Sequence, residues 1–268
     1  MSISVDDSLL KPGPIRRVRV DITSRCNLRC VYCAVSGLNY QGADMSNVTA
    51  RKVVELTVGL ARHNPLVRVD LNGHGETTFR QGWAEICLAL VERGIPVGLT
   101  SNFAKTFDDD ELEALACMDS IAISIDTADR KLLQRLRRRV DLRQITTNIA
   151  FTKSAALKLH RTPPRFSFLC GLYDKNTLEW DSFARFSIAS AITHVGIWSL
   201  TAHSNLDVPD EDRVQPLDDL SDDDLRPRIL SVLRGLRLLQ RHGVSVSVHG
   251  DFVDPLARRV GLDATADS

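Results

Sequence analysis

The chain has no excess of either charge. Lys and Arg together number 34, as do Asp and Glu, so nothing in the balance draws it to nucleic acid or to an anionic membrane. No apolar run approaches the roughly 18–20 residues of a membrane span. The start, Met1 to Asp7, lacks the basic and apolar regions of a secretory signal. A soluble, cytoplasmic protein with no nucleic-acid or membrane partner is therefore expected. There is no internal repeat and no low-complexity stretch, and after Cys170 there is no further cysteine.

What is present is a regular alternation of short apolar strands and helical spacings. After Pro12-Gly13-Pro14 the spacing predicts strands at Val18–Ile22, Val67–Leu71, Val97–Thr100, Ile121–Ile125, Arg165–Leu172, His194–Leu200 and Val244–Val248. Between them it predicts helices at about 49–61, from Trp83 to a stop at Gly94, after Asp108, over 142–159, over 180–191 and over 225–241. Strands and helices in this rhythm mean right-handed βαβ units and a parallel sheet curling toward a barrel. The length of 268 residues suits one catalytic domain. The expected fold is thus α/β, a partial (β/α)6 TIM-type barrel with a C-terminal helix and strand extension. Its expected parts are a leader at 1–16, a core at 17–204 and an extension at 205–268 that closes the barrel.

Three cysteines, Cys26, Cys30 and Cys33, follow the first strand directly, in the spacing C-x-x-x-C-x-x-C with Tyr32 before the last. Structural zinc sites close their coordination with four protein ligands, whereas a site with a chemical task leaves one position open. Three thiolates fit either a four-iron cluster with one free iron or a zinc ion completed by a histidine in a noncatalytic module. The CxxxCx(aromatic)C loop resembles that of the radical S-adenosylmethionine (radical SAM) superfamily. So does Asn72-Gly73-His74-Gly75-Glu76-Thr77 after the second strand, which is similar to the family's Gly-Gly-Glu-Pro segment, with His74 and Thr77 as departures.

The resemblance implies one [4Fe-4S] cluster on Cys26, Cys30 and Cys33, and S-adenosylmethionine held at the open iron. It also implies a 5′-deoxyadenosyl radical that abstracts hydrogen, and a flavodoxin or ferredoxin to supply the electron. Cofactor contacts are expected from Tyr32, Gly75 and Glu76, whose carboxylate can meet an ammonium group. Further contacts are expected from Ser101 and Asn102 after the third strand, Ser124 and Asp126 at the end of the fourth, and Trp198 and Ser199 at the end of the sixth. The missing C-terminal cysteines imply no auxiliary cluster.

Several residues admit two readings. Cys170, near the exit of the fifth strand, is either a packed core thiol or a hydrogen donor to a substrate radical. His74 is either a local adaptation or an acid–base group. Asn176 only fixes a turn. The basic run Arg135 and Arg137 to Arg139 is either a solvated helix face or a dock for an acidic electron donor. Tyr173, His203, His249 and Asp251 are polar candidates at late strand ends. The acidic segment from Asp207 to Asp224 either charges a helix N-terminus or attracts a cationic substrate. The expected substrate is a small polar metabolite, with an amino sugar or aminoglycoside-like natural product foremost. The expected reaction is epimerisation, elimination or rearrangement; a dehydrogenase and a glycyl-radical activase are the rivals.

Overall fold

The computed structural model describes residues 15–64, 67–200 and 208–263. Seven parallel strands lie in sequence order in one sheet: β1 (Arg17–Val20), β2 (Arg68–Leu71), β3 (Val97–Ser101), β4 (Ser120–Ser124), β5 (Arg165–Leu172), β6 (His194–Ser199) and β7 (Ser245–His249). Neighbouring strands that are consecutive in sequence and all parallel require a crossover after each one, and helices supply them. These are α1 (Asn47–His63), α2 (Trp83–Val91), α3 (Asp109–Ala116), α4 (Arg130–Arg137), α5 (Leu142–Lys158), α6 (Trp180–Ala189) and α7 (Asp222–Arg241), and α8 (Val253–Arg259) follows the last strand. The expected partial barrel is what forms. The last expected strand is its seventh member, since β7 pairs along its whole length with β6.

Helix starts follow local chemistry. Ser46 caps α1 by accepting from the Thr49 N–H, and Asp108 forms a reciprocal capping box with Glu111 on α3. Asp129, Asp141 and Ser221 cap α4, α5 and α7 in the same way. At the other end of α4 the chain turns through two consecutive residues with positive φ, Arg138 at 44° and Arg139 at 61°. Positive φ is costly for a side-chain-bearing residue, so surrounding contacts must hold this turn in place.

The alternation along the strands separates two faces. Val69, Leu71, Val97, Leu99, Ile121, Ile123, Phe166, Phe168, Val195 and Ile197 face the helices and are buried. The face turned to the lumen carries many small or polar side chains: Gly98, Thr100, Ala122, Ser124, Ser167, Gly171, Gly196 and Ser247 share it with the larger Leu169, His194 and Trp198, in register across the sheet. Small side chains on a concave face leave room above them, and Thr100, Ser124, Ser167 and Ser247 are half-buried rather than sealed. No helix among the described residues is long and apolar enough to cross a membrane.

Candidate functional site at the C-terminal rim

The strand ends carry the site, as in other α/β barrels where variable loops follow a fixed sheet. The cysteine loop leaves β1 and is tied down on both sides. The Val31 N–H donates to the Leu136 carbonyl at 2.8 Å, and the Cys30 thiol lies 3.8 Å from the Arg137 carbonyl. On the opposite side the Glu76 N–H donates to the Arg25 carbonyl at 2.8 Å. Gly75 has to be glycine for this contact. A Cβ there would stand 2.4 Å from both the Arg25 and the Thr23 carbonyl oxygens, and backbone cannot step aside cheaply.

Cys30 is buried, and Cys26 and Cys33 are half-buried. Burial pushes the Cys30 thiol up to about 12, and it raises Cys26 as well, against the Leu28 N–H that points at its sulfur. The three sulfurs sense one another's charge. Three thiol donors on one loop, none of them in a disulfide, suit a cluster that takes one iron per thiolate. A second observation concerns S-adenosylmethionine. Asn72 Oδ1, in the loop that ends β2, is buried with no hydrogen-bond partner among the described residues, and an ammonium donor would satisfy it. The residues present fit both groups.

Glu76 does not offer its carboxylate as the sequence suggested. Oε1 accepts from the Thr78 N–H (3.1 Å), the Thr78 hydroxyl (2.8 Å) and the Ser101 hydroxyl (2.8 Å), and Oε2 accepts from the Asn102 N–H (2.6 Å). Four donors around one buried carboxylate make it a bracket that holds the end of β3 against the loop after β2. Asn102 carries the bracket to the cysteines: its amide donates to Asn27 Oδ1 at 2.8 Å and lies 3.9 Å from Cys26 Sγ. His74 leans away on the surface, with its N–H on the Asp21 carboxylate at 3.0 Å.

Asp126 is likewise committed. It is 1% exposed and takes a two-pronged ion pair from Arg137, Nε to Oδ2 at 2.8 Å and Nη2 to Oδ1 at 3.1 Å, while the Tyr32 hydroxyl also donates to Oδ2. The guanidinium lies 5.9 Å from the Tyr32 ring centre. Burial works against the charge on Arg137, but the charge of Asp126, the nearby Tyr32 and Cys30 and the hydrogen bond to Asp126 together outweigh it and hold the guanidinium well above its ordinary range. Asp126 is therefore an internal ion-pair partner rather than a ribose contact. Ser124, two residues earlier, faces the lumen half-buried, and its hydroxyl has no partner among the described residues.

The basic run after β4 divides into three fates. Arg137 is buried as described, and Arg135 binds Asp212 at 2.9 Å and the Glu211 carbonyl, so neither stands free to dock a donor protein. Arg138 is half-buried and Arg139 exposed. Arg137 was legible in principle, because Leu133, Leu136 and Arg137 fall at i, i+3 and i+4 on one helix face, and the two leucines mark that face as buried.

Cys170 lies on the wrong face for a hydrogen donor. With Phe166 and Phe168 it points toward the helices, fully buried, its thiol 3.5 Å from the Asp126 carbonyl and 3.6 Å from that of Gly171. Register pairs Cys170 with Ile197 on the helix side and Gly171 with Trp198 on the lumen side. Asn176 fixes the turn beyond β5, accepting from the Tyr173 N–H at 3.1 Å and donating to the Asp126 and Gly171 carbonyls at 2.9 and 2.7 Å. Trp198 spans the space over Gly171, where a Cβ would lie 3.2 Å from its Nε1. Ser199 follows it half-buried. Tyr173 is buried with its ring centre 5.8 Å from that of Tyr32. His249 stands on the lumen side of β7. Asp251 follows it, exposed, and His203 lies outside the described residues.

Comparison with known proteins agrees with this geometry. The family model of the Radical SAM superfamily matches residues 20–186. A GTP 3′,8-cyclase of Erythrobacter litoralis is 33% identical over 150 residues, covering 54% of this chain and 44% of that protein. A probable GTP 3′,8-cyclase of Pyrococcus abyssi is 30% identical over 118 residues, covering 44% of this chain and 37% of that protein. The chain thus spans less than half the length of these relatives. Streptococcus suis SuiB bound to S-adenosylmethionine superposes with a TM-score of 0.65 at 15% identity, over 91% of this chain and 53% of that one. A radical SAM methyltransferase from Sphaerobacter thermophilus gives 0.58 at 16% identity, over 89% of this chain and 67% of that one. At such identities the structural likeness shows the fold.

Proposed function

Because the chain belongs to the radical SAM superfamily, whose members use a 4Fe-4S cluster and S-adenosylmethionine, we propose that it abstracts hydrogen from a small polar metabolite held in the barrel lumen. Bound together, these groups supply a 5′-deoxyadenosyl radical. The observation that carries the reading is the cysteine loop, three thiols pinned between the Glu76 bracket and the Asp126–Arg137 pair at the C-terminal rim.

In this reading Cys26, Cys30 and Cys33 ligate three irons. Asn72 and the Gly73–Gly75 backbone meet the methionyl ammonium, and Glu76, Ser101 and Asn102 hold that loop to the cysteines. Ser124 offers a free hydroxyl to the cofactor's polar groups. Tyr32 and Trp198 wall the nucleoside side, while Ser199 alternates to the helix side with Leu172. The small lumen side chains leave space for the substrate, and the walls keep water from it.

The lumen also bears on which substrate. Arg17, Arg19 and Arg68 share the lumen side of β1 and β2, with Asp70 among them. Arg17 and Arg68 both pair with Asp70, Arg68 also reaches Asp119 at 3.4 Å, and Arg19 is exposed with no partner among the described residues. This excess of positive charge favours a substrate bearing phosphate or carboxylate, and the relatives named GTP 3′,8-cyclase point the same way. An amino sugar has less support. In the acidic segment Asp212 is taken by Arg135, Asp210 by Arg213 and Asp222 by Arg259, and Asp224 meets the Ser221 hydroxyl that caps α7. Asp207 lies outside the described residues. Elimination or rearrangement fits better than epimerisation through Cys170, whose thiol is turned from the lumen. A flavodoxin or ferredoxin is the proposed electron donor.

The test is anaerobic reconstitution with iron and sulfide, followed by S-adenosylmethionine and dithionite, with mass-spectrometric detection of 5′-deoxyadenosine. Its formation, lost in Cys30→Ala, supports radical initiation. A colourless zinc protein that forms none would overturn it, and a large co-purifying partner protein would favour a glycyl-radical activase.

A further inference from the structure

The last two strands carry an ordered set of imidazoles and hydroxyls on the lumen face. Register sets His194 beside Ser245, Gly196 beside Ser247 and Trp198 beside His249. The space over Gly196 is taken first by Leu169, whose Cδ2 would lie 2.8 Å from a Cβ there, and then by the β7 side chains, Ser247 Oγ at 3.5 Å and His249 Nε2 at 3.6 Å. Both rings address the same hydroxyl from opposite ends. His194 Nε2 lies 3.0 Å from Ser247 Oγ, and His249 Nε2 lies 3.5 Å from it, the long contact of the set. At its other nitrogen, His194 Nδ1 lies 2.9 Å from Ser245 Oγ.

The direction of the chain turns on where the Ser245 proton goes. The hydroxyl reaches the Thr193 carbonyl at 3.1 Å and His194 Nδ1 at 2.9 Å, and donation to the carbonyl leaves its oxygen to accept from His194 Nδ1–H. A neutral imidazole with Nδ1–H has a bare Nε2, which then accepts the Ser247 proton. Ser247 Oγ in turn accepts from His249 Nε2–H. That leaves His249 Nδ1 as a bare nitrogen on an exposed ring at the barrel mouth, at the level of Trp198. His194 stays neutral as the chain requires, because its own burial, and then the charge of His249, lower its pKa.

Resting on the function proposed above, we propose that His249 is the acid–base residue for a substrate whose reacting carbon bears a hydroxyl, with Ser247, His194 and Ser245 as positioning residues that fix its tautomer. A hydroxyl beside a carbon-centred radical is far more acidic than an ordinary alcohol, so an imidazole suffices as its base. The substrate O–H bond breaks and the proton bonds to His249 Nδ1. No electron moves, and the resulting imidazolium keeps its Nε2–H on Ser247. The arrangement follows the logic by which a partner hydrogen bond holds a catalytic histidine in one tautomer.

The experiment is ring-nitrogen NMR of the 15N-histidine-labelled full chain, with His194→Asn and His249→Asn used to assign the two signals. The expected result is an Nδ1–H tautomer for His194 and an Nε2–H tautomer for His249. In Ser247→Ala, His249 should lose its single tautomer and show the averaged shifts of a free imidazole, while His194 keeps Nδ1–H through Ser245. An Nε2–H tautomer at His194, or His249 shifts that Ser247→Ala leaves in place, would overturn the proposal. Neither measurement needs the cluster or turnover, so failure of the radical reading would appear separately, as absent 5′-deoxyadenosine. Deuterium passing from a hydroxyl-bearing carbon of a ribonucleotide or sugar phosphate probe into 5′-deoxyadenosine supports the substrate class; deuterium from a carbon without a hydroxyl overturns it.

Discussion

Removing one partner of the Asp126–Arg137 pair should cost far more than removing both. Both side chains are buried, Asp126 at 1% and Arg137 at 7% side-chain exposure, with two hydrogen bonds of 2.8 and 3.1 Å between them. Arg137→Met leaves the carboxylate with the Tyr32 hydroxyl as its one remaining side-chain donor. An orphaned buried charge of this kind costs about 3–5 kcal/mol. At about 2–4 °C per kcal/mol for a chain of this size, melting should fall by about 6–20 °C. Adding Asp126→Asn removes the charge but keeps an acceptor for Tyr32, so the double variant should recover most of that loss. The assay is thermal and urea unfolding of the four proteins of the cycle, read by circular dichroism, with iron content after reconstitution read in parallel. Iron content should follow stability, because the same helix end supplies the Leu136 carbonyl to Val31 and the Arg137 carbonyl to Cys30. A loss below about 1 kcal/mol in Arg137→Met, the range of an exposed pair, would refute the reasoning. So would a double variant no better than the single.

Three further outcomes are expected. Gly75→Ala should lower iron content and cost about 1–3 kcal/mol, the range for overpacking, since its Cβ would meet two carbonyl oxygens of the cysteine loop at 2.4 Å; iron analysis and melting check it. Burial raises Cys87 from 9.0 to about 12 in the folded chain, so its contribution to stability is whole below pH 9 and is lost as pH rises toward about 12; Cys87→Ala should flatten the alkaline limb of a stability–pH curve. Cys170→Ala should lower stability by about 0.5–3 kcal/mol, as a single core change does. It should leave the formation of 5′-deoxyadenosine in place, because the thiol packs on the helix side of β5; paired melting and product assays check it.

The elements that the sequence showed plainly are those in which one physical signal acts alone. β5 falls at Arg165–Leu172 as the apolar run and its flanking breakers predict, and α5 follows helical spacing despite Ile145, Thr146 and Thr147. α8 was not foreseen, for it is short, and α4 was anticipated only as a basic helix face, without bounds, because charge interrupts its apolar spacing. The cysteine loop was legible because ligand spacing is a local property. The fates of Glu76 and Asp126 were not, because each depends on a partner at a distance in the chain: Glu76 on Asn102, and Asp126 on Tyr32. A carboxylate in a motif reads the same whether it faces a ligand or a ring of internal donors. Only the count of donors already present separates the two.

That distinction reshapes how the rim works as a site. Two carboxylates that a motif reading assigns to ligands are instead the points that hold the cysteine loop, one from the β2–β3 side and one from the β4 side. Each is buried, and each is matched by donors from a different strand end, so the loop can shift only if a charged hydrogen-bond set is broken. Chemistry at a cluster edge depends on fixed geometry rather than on a mobile carboxylate, and preorganised donors supply that rigidity before any ligand arrives. The side chains without partners among the described residues, Ser124 and Arg19, and the His249 Nδ1 that the proposed hydrogen-bond chain leaves bare, then mark where a ligand has something to gain. They lie on the lumen side of β4, β1 and β7, separate from the two brackets. The site therefore divides these polar residues by whether their hydrogen bonds are already spent: the spent ones hold the loop, and the unspent ones are open to a ligand.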